Sequence, residues 1–570
     1  MSDLIDRTRA WIAGDPDPAT RSELAGLVQT RDREELADRM NGTLAFGTAG
    51  IRGVVEAGSN RMNLATVIRT TAGLAEHLQR TTEPHDRLVV IGRDARPSSD
   101  SFMDDTIAVL AAAGFTVRFF AAPTPTPLVA YAGLSLGACA SIVITASHNP
   151  PRDNGYKVYA ANGAQIVSPA DTEIAACIAE VGAATDVPRA PNAFETSSVE
   201  AIDDEMFEQY LRDVATVLPG VAGDRGISIV YTPMHGVGGR FVTDALRRFG
   251  FHKVNPVARQ FAPDGTFPTV DFPNPEEPGA LDLAHELAQA IDADIVFAND
   301  PDTDRLAVSV PDPGGVWRPL TGNQIGCLLA EFLLDHHEGP GVVVNSVVSS
   351  PLLSRIADRH AVTYDRTLTG FKWIWNAALD LAGTGAGELV LGYEEALGYS
   401  VGTTVRDKDG ISAALAFGVL AAEAAADEES VLDRLGTLFE RYGVWASAQV
   451  SVRVDTPDGS ERIARMMDAL RSDPPTSLQD LDVSGMTDYA VGADERPRYL
   501  GATNLIELDL GDAGRVLARP SGTEPKLKIY VDLTAPYPRS GDWMGAEADL
   551  TRRAEAIGED LRSWLTDAGG

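Results

Sequence analysis

Lysine is nearly missing from this 570-residue chain: only Lys157, Lys253, Lys372, Lys408, Lys526 and Lys528 occur, and the rest of its 48 basic side chains are arginine. Cysteine is scarcer still. Cys139, Cys177 and Cys327 are odd in number, far apart and without a CxxC spacing, which argues against a disulfide framework and against a thiolate metal site. They read as small apolar core residues. No run of about 18 apolar residues suggests a membrane span, and the first residues carry acids where a signal peptide has an apolar stretch, so a cytoplasmic protein with no membrane partner is expected. A net charge of -34 leaves no basic footprint for a nucleic-acid backbone. A GxxxxGKS/T phosphate loop is also absent, which withdraws support from nucleotide-driven phosphoryl transfer. Any anionic substrate must therefore meet cations gathered locally against an acidic background.

At this length several domains are expected. Residues 3–40 look helical and precede the turn segment FGTAGIRGVV. From residue 87 the pattern RLVVIGRDARPSS, DDTIAVLAAAG, TVRFF and ASIVITASHNP alternates strand, helix and strand. It returns around ISIVYTPMHGVGG with IVFANDPDTDR, and again around VVVNSVVSS with ELVLGYEEALGYS, predicting three α/β units. After about residue 445 short strands and a terminal helix from about 545 suggest a smaller α+β domain. Linkers are expected near 200–210, 312–322 and 440–447. Ligands of open parallel sheets bind beyond the carboxyl ends of strands, and each polar segment singled out here follows a strand.

Four such segments carry chemistry. In Thr145–Pro150 (TASHNP), Ser147 stands on a tight turn as a nucleophile or phosphoryl carrier, with His148 beside it; an ST-turn satisfying its own backbone is the alternative. In Asp300–Arg305 (DPDTDR), Asp300, Asp302 and Asp304 can converge on one hard cation and Arg305 can take a phosphate, the rival being a solvated acidic turn. Oxygen-only ligands favour Mg²⁺, and the spacing lacks the later glycine and glutamate of a calcium loop. In Arg519–Pro525 (RPSGTEP), Arg519, Ser521, Gly522 and Thr523 form a phosphate nest or an ordinary hairpin turn. In Gly392–Gly398, Glu394 and Glu395 lie between glycines, where carboxylates pair well with vicinal sugar hydroxyls or simply face solvent. Five of the six lysines fall in or beside motif-like segments, among them NGYK (Lys157), TGFK (Lys372) and RDKDG (Lys408); Arg52, Thr48 and Arg93 sit in two more. His235 follows another strand and reads equally as a cleft residue or a satisfied structural histidine.

In this order, FGTAGIRG, TASHNP, DPDTDR, GYEEALGY and RPSGTEP resemble the α-D-phosphohexomutase superfamily of phosphoglucomutases and phosphomannomutases, over about residues 40–560. The resemblance implies three related α/β domains and a smaller C-terminal α+β domain around a central cleft. The expected layout is an N-terminal helical extension at 1–40, domain I with the phosphoserine loop at 41–205, domain II with the metal loop at 206–316, domain III with the sugar loop at 317–442 and domain IV with the phosphate loop at 443–570. It further implies that Ser147 is the phosphoserine, that Asp300, Asp302 and Asp304 hold one Mg²⁺ with a phosphoserine oxygen, and that Lys157, Arg52 and His148 are candidates for proton transfer. Arg519, Ser521, Gly522 and Thr523 would anchor the distal phosphate. Glu394 and Glu395 would grip sugar hydroxyls, with Lys372, Lys408 and Arg305 also on the substrate.

The implied activity is interconversion of glucose or mannose 1- and 6-phosphates through a bisphosphate, which also serves as activator, in a monomer or dimer. Many hexose-specific members carry a serine where this chain has Ala396. YEEALG, TLTGFKWI and RDKDGI look closer to the branch with phosphopentomutase-like and glucose-1,6-bisphosphate-forming members, so pentose phosphates are the close rival. A sugar-phosphate hydrolase is the alternative of another class.

Overall fold

Asp17 and Asp32 each begin a helix near the N-terminus: their carboxylates accept from the backbone N–H of Ala19 and Glu35, donors with no partner inside a first helical turn. The helices Ser2–Gly14, Pro18–Thr30 and Arg33–Met40 fill the span expected to be helical. The structure is a computed structural model that describes residues 2–47, 50–220, 225–454, 456, 458–521 and 526–568. Thr48, Gly522 and Thr523 lie outside the described residues.

The chain forms two compact units, Met1–Leu320 with Gly398–Ala422, and Thr321–Leu397 with Glu423–Gly570. The segment Gly398–Ala422, inside the third domain by chain order, thus belongs to the first unit. The strands of that unit are β1 (Ile51–Val54), β2 (Leu88–Arg93), β3 (Thr116–Phe119), β4 (Ala140–Ile144), β5 (Asp153–Ala160), β6 (Val199–Ala201), β7 (Ser228–Thr232), β8 (Lys253–Pro256), β9 (Ile295–Ala298), β10 (Ala307–Pro311) and β11 (Trp317–Pro319). The first six make one sheet in the order β1-β5-β4-β2-β3-β6, the rest a second in the order β11-β10-β9-β7-β8. β4 is buried along its whole length and parallel to β2, as its unbroken apolar run ASIVI requires.

The strand, helix, strand alternation accounts for β2, β3 and β4, but the partner that follows β4 is antiparallel. Eight residues separate β4 from β5, too few for a crossover, so the chain turns back as a hairpin. The same happens between β9 and β10. The TASHNP and DPDTDR segments are therefore hairpin tips rather than strand-to-helix loops. Cys139, Cys177 and Cys327 are free and buried, as expected of core residues.

β15 (Gly398–Val401) follows in the first unit; the second holds β12 (Gly341–Ser346), β13 (Thr363–Thr367) and β14 (Glu388–Glu394), with β12 parallel to both neighbours. After β16 (Val444–Arg453) come a two-residue ribbon, β17 (Ser477–Leu478) with β18 (Leu481–Asp482), then β19 (Gly485–Asp488), β20 (Ile506–Asp509), β21 (Gly514–Pro520) and β22 (Lys526–Ala535). These form an antiparallel sheet in the order β16-β22-β21-β20-β19. The helix Trp543–Ala568 packs on β16 and β22, close enough that a Cβ on Gly558 would stand 2.7 Å from Val450. Among the described residues no single helix is long and apolar enough to cross a membrane.

Candidate active site

Register alone brings the first cluster together. β5 lies between β1 and β4, with Arg52 opposite Gly155 and Lys157 opposite Val143. One three-stranded piece of sheet thus carries Arg52, Lys157 and the hairpin tip that holds Ser147. Gly155 is where these strands crowd: an added Cβ would lie 2.5 Å from Thr145 O, 2.8 Å from Ile51 O and 2.9 Å from Arg52 Cγ.

Ser147 adopts the left-handed region, with φ 52°, which only a tight turn imposes on a residue with a side chain. Its backbone N–H donates to Thr145 Oγ1 at 2.9 Å, and Thr145 Oγ1 donates in turn to Asp94 Oδ2 at 2.7 Å. The turn is held from below by a residue the sequence reading did not single out. The buried guanidinium of Arg96 donates to four carbonyls of the hairpin, those of Ser147 (2.7 Å), Asn149 (2.6 Å), Pro150 (2.6 Å) and Asp153 (2.8 Å), and pairs with Asp94 at 3.1 Å. Arg93 instead pairs with Asp100.

The Ser147 hydroxyl donates to Asp300 Oδ2 at 2.8 Å, joining the two hairpin tips, while His148 Nδ1 lies 3.4 Å from the same hydroxyl. Asp300, Asp302 and Asp304 are buried, with carboxylate oxygens within 4.8 Å of one another. Thr303, at φ 64°, turns the chain so that alternate side chains converge. Thr126 donates to Asp302 at 2.6 Å, Lys157 Nζ reaches Asp302 at 2.6 Å and Asp304 at 3.0 Å, and Lys408 Nζ lies 3.3 Å from Asp304. Lys408 itself sits between two anchored aspartates: Tyr159 donates to Asp407 at 2.6 Å and Tyr210 to Asp409 at 2.7 Å. Arg305 Nε is 3.8 Å from Asp304.

Burial and the two neighbouring carboxylates raise the pKa of Asp300 far above the ordinary range. Burial acts the same way on Asp302 and Asp304, but there the Lys157 ammonium prevails and both pKa values fall. Lys157, which burial alone would deprotonate more easily, is held charged by the same two aspartates. His148 is pushed well below its usual value by burial and by the guanidinium groups of Arg305 and Arg52, so its imidazole is neutral at pH 7. Asp302 Oδ1 and Asp304 Oδ1 are buried and accept no hydrogen bond. Three crowded carboxylates with two buried lone oxygens suit one hard, oxygen-loving cation.

The second unit gathers the remaining motifs. Glu394, at the end of β14, accepts from Gly370 N–H at 2.7 Å, so TGFK and the GYEEALG loop touch. Lys372 stands 5.5 Å over the ring of Trp373. Glu395 accepts from Ser346 and Ser349, each at 3.0 Å, two partners at the end of β12 that the sequence reading did not single out. Of RPSGTEP, Arg519 lies opposite Lys528 in the β21–β22 pair, and Ser521 N–H donates to Lys526 O at 2.7 Å. His235 donates to or accepts from Thr269 at 2.9 Å, a structural partner.

A serine hydroxyl on a rigid turn, a cation cradle touching it and lysines otherwise rare in the chain suit phosphoryl transfer, where positioning and charge neutralisation supply most of the catalysis. Isomerases that shift a phosphoryl group within one sugar are built for that task. Family models for phosphoglucomutase/phosphomannomutase domains I, II, III and the C-terminal domain match residues 43–184, 208–315, 321–442 and 484–549. The chain belongs to the phosphoglucomutase/phosphomannomutase family and is an intramolecular phosphotransferase of that type. It is 42% identical over 496 residues to a protein of Haemophilus influenzae named "Probable phosphomannomutase", covering 86% of this chain and 96% of that one. It is 34% identical over 593 residues to the phosphopentomutase of Mus musculus, covering 98% and 94%. In fold it matches the crystal structure of parafusin, a phosphoglucomutase of Paramecium, in its open form, with a TM-score of 0.70 and 18% identity over 92% of this chain and 96% of that one.

Proposed function

We propose that Ser147 carries the phosphoryl group in a Mg²⁺-dependent sugar-phosphate mutase acting on glucose or mannose phosphates. The observation that carries this reading is the 2.8 Å hydrogen bond from Ser147 Oγ to Asp300, beside two buried carboxylate oxygens with no donor. Asp300, Asp302 and Asp304 would hold the ion, which when bound neutralises charge that develops on the transferring group.

In the forward half-reaction a sugar hydroxyl attacks phosphoserine 147. The new O–P bond forms on the sugar as the Oγ–P bond breaks, and the hydroxyl proton leaves to a base. The bisphosphate then turns over, and its other phosphoryl group returns to Ser147. Each half-reaction needs a proton acceptor and a proton donor; neutral His148, 3.4 Å from Oγ, and cationic Lys157 offer one of each. Arg52 and Arg305 add positive charge around them. Arg519, Ser521, Gly522 and Thr523 would anchor the distal phosphate, while Lys372, Lys408, Glu394 and Glu395 would engage the sugar phosphate.

A pentose phosphate is the second reading, favoured by the phosphopentomutase that aligns over 98% of the chain. The test is a Mg²⁺-dependent assay with glucose 1-phosphate, mannose 1-phosphate and ribose 1-phosphate in parallel, each primed with the matching bisphosphate and followed for isomer and for free phosphate. Isomer without free phosphate is expected, and its rates rank the sugars. Ser147→Ala should reduce turnover to background with the thermal midpoint kept. Stoichiometric release of phosphate, or near-normal turnover by Ser147→Ala, would overturn the mechanism.

A further inference from the structure

A cavity of about 620 Å³ lies beside the first helix, Ser2–Gly14, and the segment Val181–Ala184, within the size range of small-molecule sites. Its walls carry two guanidinium groups, Arg7 and Arg69, and no carboxylate. That is against the trend of a chain with 82 acidic and 48 basic side chains. Arg7 is partly compensated by exposed Asp3 at 3.3 Å and by Asn41. Arg69 is not. It donates to Val181 O at 3.0 Å and lies 5.6 Å over the Trp11 ring, and no carboxylate pairs with it among the described residues. Burial lowers its pKa with no opposing charge to restore it. The Nε of Arg69 and the indole Nε1 of Trp11 are both buried without an acceptor.

A half-buried cation without a counter-charge carries a desolvation cost that a bound anion would offset. Apart from the hydroxyl residues Thr43 and Ser59, the remaining walls are apolar, with Ala10, Ala65 and Val181 among them, so the cavity suits an apolar body as well as a charge. We propose that this cavity binds a small organic anion, a single carboxylate, phosphate or sulfonate group on an apolar body of aromatic size, at a site that shares no residue with the Ser147 and aspartate hairpins. Trp11 and Arg69 would take the two halves of such a molecule: the ring against the apolar body, the guanidinium against the charge.

The test uses the full-length protein and the dye 8-anilinonaphthalene-1-sulfonate, which is such an anion and accepts excitation energy from indole. One saturable site is expected, with energy transfer that falls in Trp11→Phe. Arg69→Gln should weaken the dye at least tenfold by removing a charge-assisted contact. Gly182→Leu provides a second variant: a Cβ there meets nothing within 4 Å, so the side chain should fill the cavity without disturbing the fold. Both variants should keep wild-type mutase turnover in the absence of dye. Binding that is unchanged in both, or no saturable binding to the wild type, would overturn the proposal.

Discussion

Replacing Arg96 by methionine removes a side chain that grips four carbonyls of the Ser147 hairpin from inside. The methionine keeps most of the apolar stem but none of the five donors, leaving the carbonyls of Ser147, Asn149, Pro150 and Asp153 without them. It also leaves the buried Asp94 without its cation, although Ser99 and Thr145 still donate to that carboxylate. Breaking a buried ion pair by deleting one partner costs about 3–5 kcal/mol, and the lost carbonyl contacts fall within that figure rather than adding to it in full. Because Ser147 must stand within a fraction of an ångström of its in-line position, turnover should fall about 100-fold even at temperatures where the variant is folded. Arg96→Lys should be intermediate, since an ammonium keeps the charge but offers three donors to five acceptors. Urea unfolding and kcat on glucose 1-phosphate, measured on both variants at 20 °C below the lower thermal midpoint, separate the two losses. Wild-type kcat and an unmoved urea midpoint in Arg96→Met would refute the reasoning, for the hairpin would then hold its shape through its own backbone.

Asp302→Asn should abolish turnover and also the rise in thermal midpoint that Mg²⁺ gives the wild type, because ligand bound to the native state stabilises it in proportion to its affinity; an equal Mg²⁺ shift in the variant would dismiss Asp302 as a ligand. Gly155→Ala forces a methyl group against two backbone oxygens and should destabilise by about 1–3 kcal/mol or more, with soluble yield as the readout. In the second unit, burial would raise the Glu507 pKa, but Arg515 and Arg366 together with the Tyr489 hydroxyl more than offset it and the folded value is lowered. Its stabilising contribution is therefore present above the unfolded value of about 4.3 and is lost as pH falls below that. Glu507→Gln should flatten the acid limb of the stability curve between pH 5 and 3 in urea titrations, and an unchanged limb would show that other carboxylates set it.

What could be read in advance was whatever lay contiguous in the chain. Ser147 with His148, and the three alternate aspartates, announce themselves because each group of side chains is delivered by one turn. Lys157 and Lys408 stood out through the scarcity of lysine and Asp304 through its motif, but that both lysines pair with Asp304 did not, since that ion-pair cluster is assembled across more than two hundred residues of sequence. Arg96 was hidden for the same reason: its acceptors are carbonyl oxygens, which every residue has, some fifty positions downstream. That the two segments after β4 and β9 are hairpin tips was not legible from their own residues, because apolar strands flank hairpins and crossover loops alike, and only the short spacing between β4 and β5 separates them. Ser346 and Ser349 gave no signal, as serines near a strand end are ordinary until a half-buried glutamate is seen to use them.

The return of Gly398–Ala422 to the first unit bears on how the chain is made. Tyr159, Tyr210 and Asp304 are synthesised long before the Asp407, Asp409 and Lys408 that they contact, and the intervening residues 321–397 belong to the other unit. At about 5–20 residues per second a ribosome spends roughly 5–20 s between Asp304 and Asp409. Throughout that interval the nascent first unit carries a buried tyrosine hydroxyl pair and an aspartate cluster still awaiting their partners. An N-terminal fragment ending at Leu320 is in the same position permanently, so the natural place to divide this gene for separate expression is not where the first unit pauses but after its final segment has been laid down.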